Sequence, residues 1–276
     1  MAISVLMGLL LAACAPQSDT PAKLTEAPKL PVGRPAPNPL RNAYFGDLHL
    51  HTRNSFDAYI FNVRASPDDA YAYAKGGTIK HAMGFDLHLN SGPLDFLAVT
   101  DHSEYLGVLP AINTAGTQFS KVPYAKDLFS SDTKVVLGAF RQFADSVEAG
   151  KRIDDFKDMA TTASAWNETI KSAERANDPG KFTSFIAYEF TSAPGGRNLH
   201  RNVIFSGDKA PSLPFSALES QNPEDLWRWL DERRAEGIEA LSISHNANGS
   251  DGTMFERTMW NGKPIDVLTT DGEFHA

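Results

Sequence analysis

Four apolar runs of strand length in this chain end on side chains that bind protons or metal ions. "AYFGDLHLH" ends on His49 and His51, "LDFLAVTDH" on Asp101 and His102, "FTSFIAYEF" carries Glu189 next to its end, and "EALSISHN" reaches His245. A fifth run, "RNVIF", is directly preceded by His200. An apolar run bounded by polar residues is the pattern of a strand buried on both faces. Helix signals lie between the runs. "SPDDAYAYAKGG" offers Ser66 as N-cap, Pro67 at the first position, two aspartates in the first turn and glycines to stop it. Val135 to Ala149 and Thr162 to Ala176 read as helical, as does "NPEDLWRWLDERRAEG" behind an Asn222 cap. Strands alternating with helices predict an α/β fold, either a parallel sheet or a barrel, with its ligand face at the C-terminal strand ends.

A single strand-end histidine is explained as well by a polar end facing water. Recurrence at successive strand ends points instead to a metal site. Imidazole nitrogen and carboxylate oxygen are the ligands of zinc, manganese and iron, and one carboxylate can bridge two ions. Alternation along a strand sends His49 and His51 to the same face. Asp57, six residues after His51, joins the candidates from the loop leaving the first strand. Asp101 reads as an outer partner that orients a neighbour. Arg53, Arg197 and Arg201 flank the candidate ligands. They could clamp a phosphate through paired hydrogen bonds, or serve as surface charge or carboxylate partners.

The 276 residues and a formal net charge of -8 argue against a nucleic-acid groove. The one cysteine, Cys14, closes the apolar run "LMGLLLAAC". That run is too short to span a bilayer but suits the h-region of a signal peptide. With Ala12 and Ala13 before it, Cys14 resembles the lipidated residue of a bacterial lipobox. The expected organisation is a leader over residues 1–14, a proline-rich tether over 15–42 and a metal-binding domain over 43–276. Such a protein is expected to be exported and held by its lipid on the bacterial outer membrane, facing the periplasm or the exterior. The alternatives are an ordinary secretory signal or an apolar N-terminus with no targeting role.

The order "GDLHLHT…SFD", "FLAVTDH", "AYEF", "LHRNVIF" and "ISHNA", from roughly Tyr44 to Ile265, resembles the PHP (polymerase and histidinol phosphatase) superfamily. More closely it resembles that superfamily's large branch of uncharacterised bacterial proteins, many of them secreted. The resemblance implies a distorted (β/α)7 TIM-like barrel with up to three divalent ions, zinc, manganese or iron, at the strand ends. His49 and His51 would hold one ion, with Glu189 bridging it to a second that His200 and His245 complete. Asp57 and His102 would hold a third. The implied activity is hydrolysis of a small-molecule phosphate ester, with Glu189 and His102 as the catalytic residues. The family's late D-x-H has no counterpart after His245, where the chain offers only Asp251, Asp266, Asp271 and His275. The barrel is therefore expected to be incomplete in this chain. A cation-binding lipoprotein without catalysis, or an inactive homologue, is the alternative.

Overall fold

The computed structural model describes residues 38–265. The leader with Cys14, the tether up to residue 37 and the terminal candidates Asp266, Asp271 and His275 lie outside the described residues.

The chain enters through β1 (Gly46–Asp47), which pairs in parallel with β4 (Phe96–Ala98). β4 pairs in parallel with β5 (Thr183–Phe185). Between β1 and β4 lie two short helices, α1 (Phe56–Ile60) and α2 (Pro67–Ala74), and a small antiparallel hairpin of β2 (Ile79–Lys80) and β3 (Asp86–Leu87). The start of α2 follows the sequence signal. Ser66 Oγ accepts the Asp69 N–H at 3.1 Å while the Asp69 carboxylate accepts the Ser66 N–H at 2.8 Å, which is a capping box. A helical segment follows β4: α3 (Val108–Ile112), α4 (Ala125–Leu128), α5 (Thr133–Glu148) and α6 (Ala160–Ala176).

Only Ile186 separates β5 from β6 (Ala187–Phe190), and the parallel alignment with the β4 side continues as a bridge between His102 and Glu189. From β6 the chain turns straight back into β7 (Arg201–Phe205), antiparallel, with Glu189 opposite Asn202. Residues 191–200 contain no helix long enough to carry a crossover, so a parallel return is excluded. The base of this loop is closed by the Leu199 N–H on the Ser192 carbonyl at 2.9 Å. It is tied down further by Ser192 Oγ on the Gln221 carbonyl and the Ala193 N–H on Gln221 Oε1. Helix α7 (Pro223–Ala235) begins at Asn222, whose side chain accepts the Glu224 N–H at 3.1 Å. It leads to β8 (Ala240–Ser244), antiparallel to β7 and hence parallel to β6.

The expected barrel is thus corrected. Among the described residues β1 pairs only with β4 and β8 only with β7, so the strands do not close, and β7 breaks the parallel order. The sheets do curl. Asn202 Nδ2 of β7 reaches the Leu48 carbonyl just past β1 at 2.8 Å, a contact that flat sheets would not allow.

Alternation along the strands separates two apolar layers. Leu97, Val99, Tyr188, Phe190, Val203 and Phe205 face the core shared with α2, α6 and α7, where Trp166 is fully buried. Ala98, Ala187 and Ile204, with Leu48 and Leu241 against them, form a small layer on the concave side. A third cluster around Tyr105, Phe143 and Phe156 joins α1, α3 and α5. Glu189 continues the parity of Ala187, and His245 that of Leu241. The concave layer therefore ends in the polar candidates.

Candidate metal centre

Glu189 is 1% exposed, and each oxygen of its carboxylate meets two imidazoles. Oε2 lies 2.7 Å from His51 Nε2 and 3.2 Å from His49 Nε2. Oε1 lies 2.7 Å from His200 Nδ1 and 2.9 Å from His245 Nε2. His102 stands behind, its Nδ1 3.7 Å from Oε1 and within hydrogen-bond reach of the Thr191 hydroxyl. On the far side of His51, Nδ1 is 3.2 Å from both oxygens of Asp57, and Asp57 Oδ2 is 3.5 Å from His102 Nε2. The seven side chains named from the sequence as ligands thus converge. They form three groups able to hold a metal ion: His49, His51 and Glu189; Glu189, His200 and His245; His51, Asp57 and His102.

The local chain explains the convergence. Residues 48–52 are not strand, because β1 stops at Asp47, so strand alternation does not place the two histidines. They are placed by Asp101. Its Oδ1 accepts the Thr52 N–H at 2.5 Å and its Oδ2 the Thr52 hydroxyl at 2.6 Å, which ties the turn after His51 to the end of β4. His102 is fixed by its own N–H on Ser55 Oγ at 3.2 Å, and Ser55 Oγ in turn donates to Asp57 at 2.6 Å.

A buried carboxylate is tolerated where positive charge or donors surround it. Burial alone would raise the pKa of Glu189, but the imidazoles of His102, His200, His245 and His49 hold it well below the usual carboxylate range. Asp57 is likewise held low, against its own burial, by His102 and His51. Burial acts to lower His51, yet the Asp57 and Glu189 carboxylates raise it to about 10. His102 is raised mainly by Glu189 against its own burial. His200, closer to Glu189 at 2.7 Å, goes the other way, because burial outweighs the carboxylate and His102 disfavours charge there. A proton is therefore held at His51. Asp101 is pushed up to about 6 by burial, in spite of its bonds from Thr52.

The three arginines do not join the cluster. Arg201 is 1% exposed and shares the parity of Val203 and Phe205, on the helix side of β7. Its guanidinium donates to the Leu199 carbonyl and faces the Trp227 ring, and burial lowers its pKa to about 9. Arg53 is paired with Glu168 at 2.5 Å, and Asn54 donates to the same carboxylate at 3.0 Å. Arg197 is exposed, with its Nε on the Pro194 carbonyl at 3.2 Å. Flanking a ligand in sequence put Arg201 one residue from His200, and in a strand one residue is the opposite face.

Supporting residues emerged that the motifs did not flag. Thr52, Ser55 and Thr191 hold Asp101, Asp57 and His102. Glu104 is fully buried and accepts the N–H of Thr191 at 3.3 Å and of Ala217 at 2.7 Å, bracing the residue behind His102. The available signal was the density of short hydroxyl residues and a further carboxylate directly after H-x-H and T-D-H.

No curated protein and no solved structure matches the chain. One family model does, that of a protein of unknown function (DUF3604), over residues 38–272. This corrects the expected membership of the PHP superfamily, whose family model the chain does not match. The resemblance rested on the order of histidines and carboxylates, which by itself does not establish membership of a family. By the extent of that match, the chain belongs to the DUF3604 family.

Proposed function

We propose that this protein is a metal-dependent hydrolase of small phosphate esters, with two or three divalent ions of the zinc, manganese or iron type. The observation that carries the reading is the bridging position of Glu189, a buried carboxylate with two imidazoles at each oxygen. The donor set fits such ions, since it combines neutral nitrogen with carboxylate oxygen and lets one carboxylate serve two groups. His49, His51 and Glu189 would hold one ion, and Glu189, His200 and His245 the next. When bound, such ions supply Lewis acidity, neutralising phosphoryl oxygens and lowering the pKa of water.

The chain's own groups supply the rest. The His49 side chain is the most open of the five imidazoles, at 44% exposed, so substrate approaches from that side. With two ions bound, His102 lies outside both groups around Glu189 and can donate a ring proton to the leaving oxygen. Asp57 and Thr191 fix its ring from opposite ends. One observation favours a second reading, cation binding without catalysis. Arg53, Arg197 and Arg201, the expected phosphate clamp, are engaged elsewhere.

Elemental analysis of purified protein, followed by a screen of nitrophenyl phosphate mono- and diesters, separates the readings. Metal with ester turnover is expected. Metal without turnover selects the second reading, and absence of metal removes both.

We also propose that the protein is exported and lipid-anchored through Cys14, on the strength of the "LMGLLLAAC" run. No helix among the described residues is long and apolar enough to cross a membrane. Cys14→Ser is expected to abolish acyl labelling and membrane retention in a lipoprotein-processing host. An unlabelled wild type would refute the anchor.

A further inference from the structure

His51 is claimed from both sides. Its Nε2 is 2.7 Å from Glu189, and its Nδ1 is 3.2 Å from Asp57. It is the one residue common to the His49/His51/Glu189 group and the His51/Asp57/His102 group. A neutral imidazole has one lone-pair nitrogen, and the other nitrogen carries a proton. His51 therefore cannot serve both groups at once. If Nδ1 binds an ion beside Asp57, Nε2 must carry the proton, and the group at Glu189 loses a ligand. If Nε2 binds, Nδ1–H points at Asp57.

Two observations decide between these arrangements. Glu189 is 1% exposed, whereas the Asp57 side chain is 34% exposed, so water compensates Asp57 while Glu189 depends on bound cations. Glu189 also serves the His200/His245 group, so an ion beside His51 adds to a shared carboxylate. Without His51, the third group is left with only Asp57 and His102, too few to hold an ion firmly.

We propose that Asp57 is a positioning residue and not a ligand. It accepts the Nδ1–H of His51, fixes Nε2 as the ligating nitrogen, and limits the centre to two ions. Ser55 Oγ, donating to Asp57 Oδ1 at 2.6 Å, steadies the carboxylate for this task. The arrangement is that of an outer carboxylate holding a metal-bound histidine. The inference rests on the metal reading of the preceding section.

The test is zinc stoichiometry and affinity of the full chain, measured by elemental analysis and chelator competition, for wild type, Asp57→Asn and Asp57→Ala. Asn can still accept the imidazole proton, and it keeps the shape of the site should the Ala variant fail to fold. The expected result is two zinc ions per chain in wild type and in Asp57→Asn. Asp57→Ala is expected to reach two at saturation, with one ion held about 10–100-fold more weakly. In zinc-loaded protein carrying 15N-histidine, the His51 Nδ1–H signal is expected in wild type and should exchange rapidly in Asp57→Ala. Three ions in wild type, or loss of one ion at saturation in Asp57→Asn or Asp57→Ala, would overturn the inference and leave the metal reading intact. No zinc in wild type would remove the metal reading and this inference with it.

Discussion

Asp101 holds Thr52 twice, taking its backbone N–H on one carboxylate oxygen and its hydroxyl on the other, at 2.5 and 2.6 Å. The pair lies one residue beyond His51 and one before His102, whose ring centroids are 4.6 Å apart. Two candidate ligands from segments beyond β1 and β4 are thereby set in register by a contact that involves neither.

Asp101 sets a pH dependence of known sign. Its folded pKa, about 6, lies above the ordinary 3.8 because burial disfavours the carboxylate. The folded state therefore binds the proton more tightly than the unfolded state. The associated stability is present below pH 3.8 and is lost as pH rises through about 6, amounting to roughly 3 kcal/mol. Asp101→Asn can keep both bonds to Thr52, since its oxygen accepts the N–H and its amide donates to the hydroxyl. In denaturant melts from pH 4 to 7, the Asn variant is expected to lack this decline relative to wild type. Asp101→Ala leaves Thr52 unsatisfied and should cost about 1–3 kcal/mol near neutral pH. Parallel wild-type and Asn curves would contradict the assignment.

Glu189 and His49 should differ as ligands. Removing Glu189 affects both groups that share it, whereas removing His49 affects one. Glu189→Ala is expected to weaken both ions by about 100-fold or more, and His49→Ala a single ion, taking outer-partner losses as the lower bound. Chelator competition on the purified variants measures this. Unchanged stoichiometry and affinity in both would exclude the centre.

Loading the centre should release protons. His51, free of metal, has a pKa raised to about 10 by Asp57 and Glu189, and a ligating nitrogen must be deprotonated. Affinity is expected to rise by up to about tenfold per pH unit between pH 6.5 and 10, with one proton released by His51 per ion bound beside it. Calorimetry in buffers of different ionisation enthalpy reads that release. The metal-free protein should correspondingly lose stability as pH climbs through the same window, since the raised folded pKa favours the folded state only while the ring is charged.

The principal core offers a test free of any metal. Trp166 is 1% exposed, meets Tyr188 and Phe205 through its ring and donates its indole N–H to the Pro211 carbonyl at 2.8 Å. Trp166→Ala should cost about 3–5 kcal/mol in urea unfolding. Trp166→Phe, which loses the hydrogen bond and part of the volume, should cost less.

The residues that converge on Glu189 were readable in the sequence because all but Asp57 sit at or beside an apolar run that ends abruptly, and hydrophobic periodicity is a strong local signal. Helix starts at Ser66 and Asn222 were readable for the same reason, since a cap needs only its neighbours. Strand direction was not. Helix α7 stands between β7 and β8 as it would in a parallel crossover, yet β8 pairs antiparallel to β7, a choice made by contacts across the sheet. The arginines misled for a related reason, since nearness in sequence does not say which face of the strand a side chain takes. Thr52, Thr191 and Glu104 work through partners 49, 89 and 113 residues away, separations at which no local pattern exists.

The antiparallel turn from β6 to β7 places Glu189 and His200 at the two feet of one loop. Their spacing is set beneath the seal between Leu199 and Ser192, and the tip beyond it, residues 193–198, carries none of the ligands. Of the tip residues only Asn198, whose side chain accepts the His200 N–H at 3.0 Å, bears on the candidate ligands; chain length and composition over 194–197 are uncoupled from their geometry. Substitutions there can alter the loop's outer surface, residue by residue, while Glu189 and His200 keep their places beneath it.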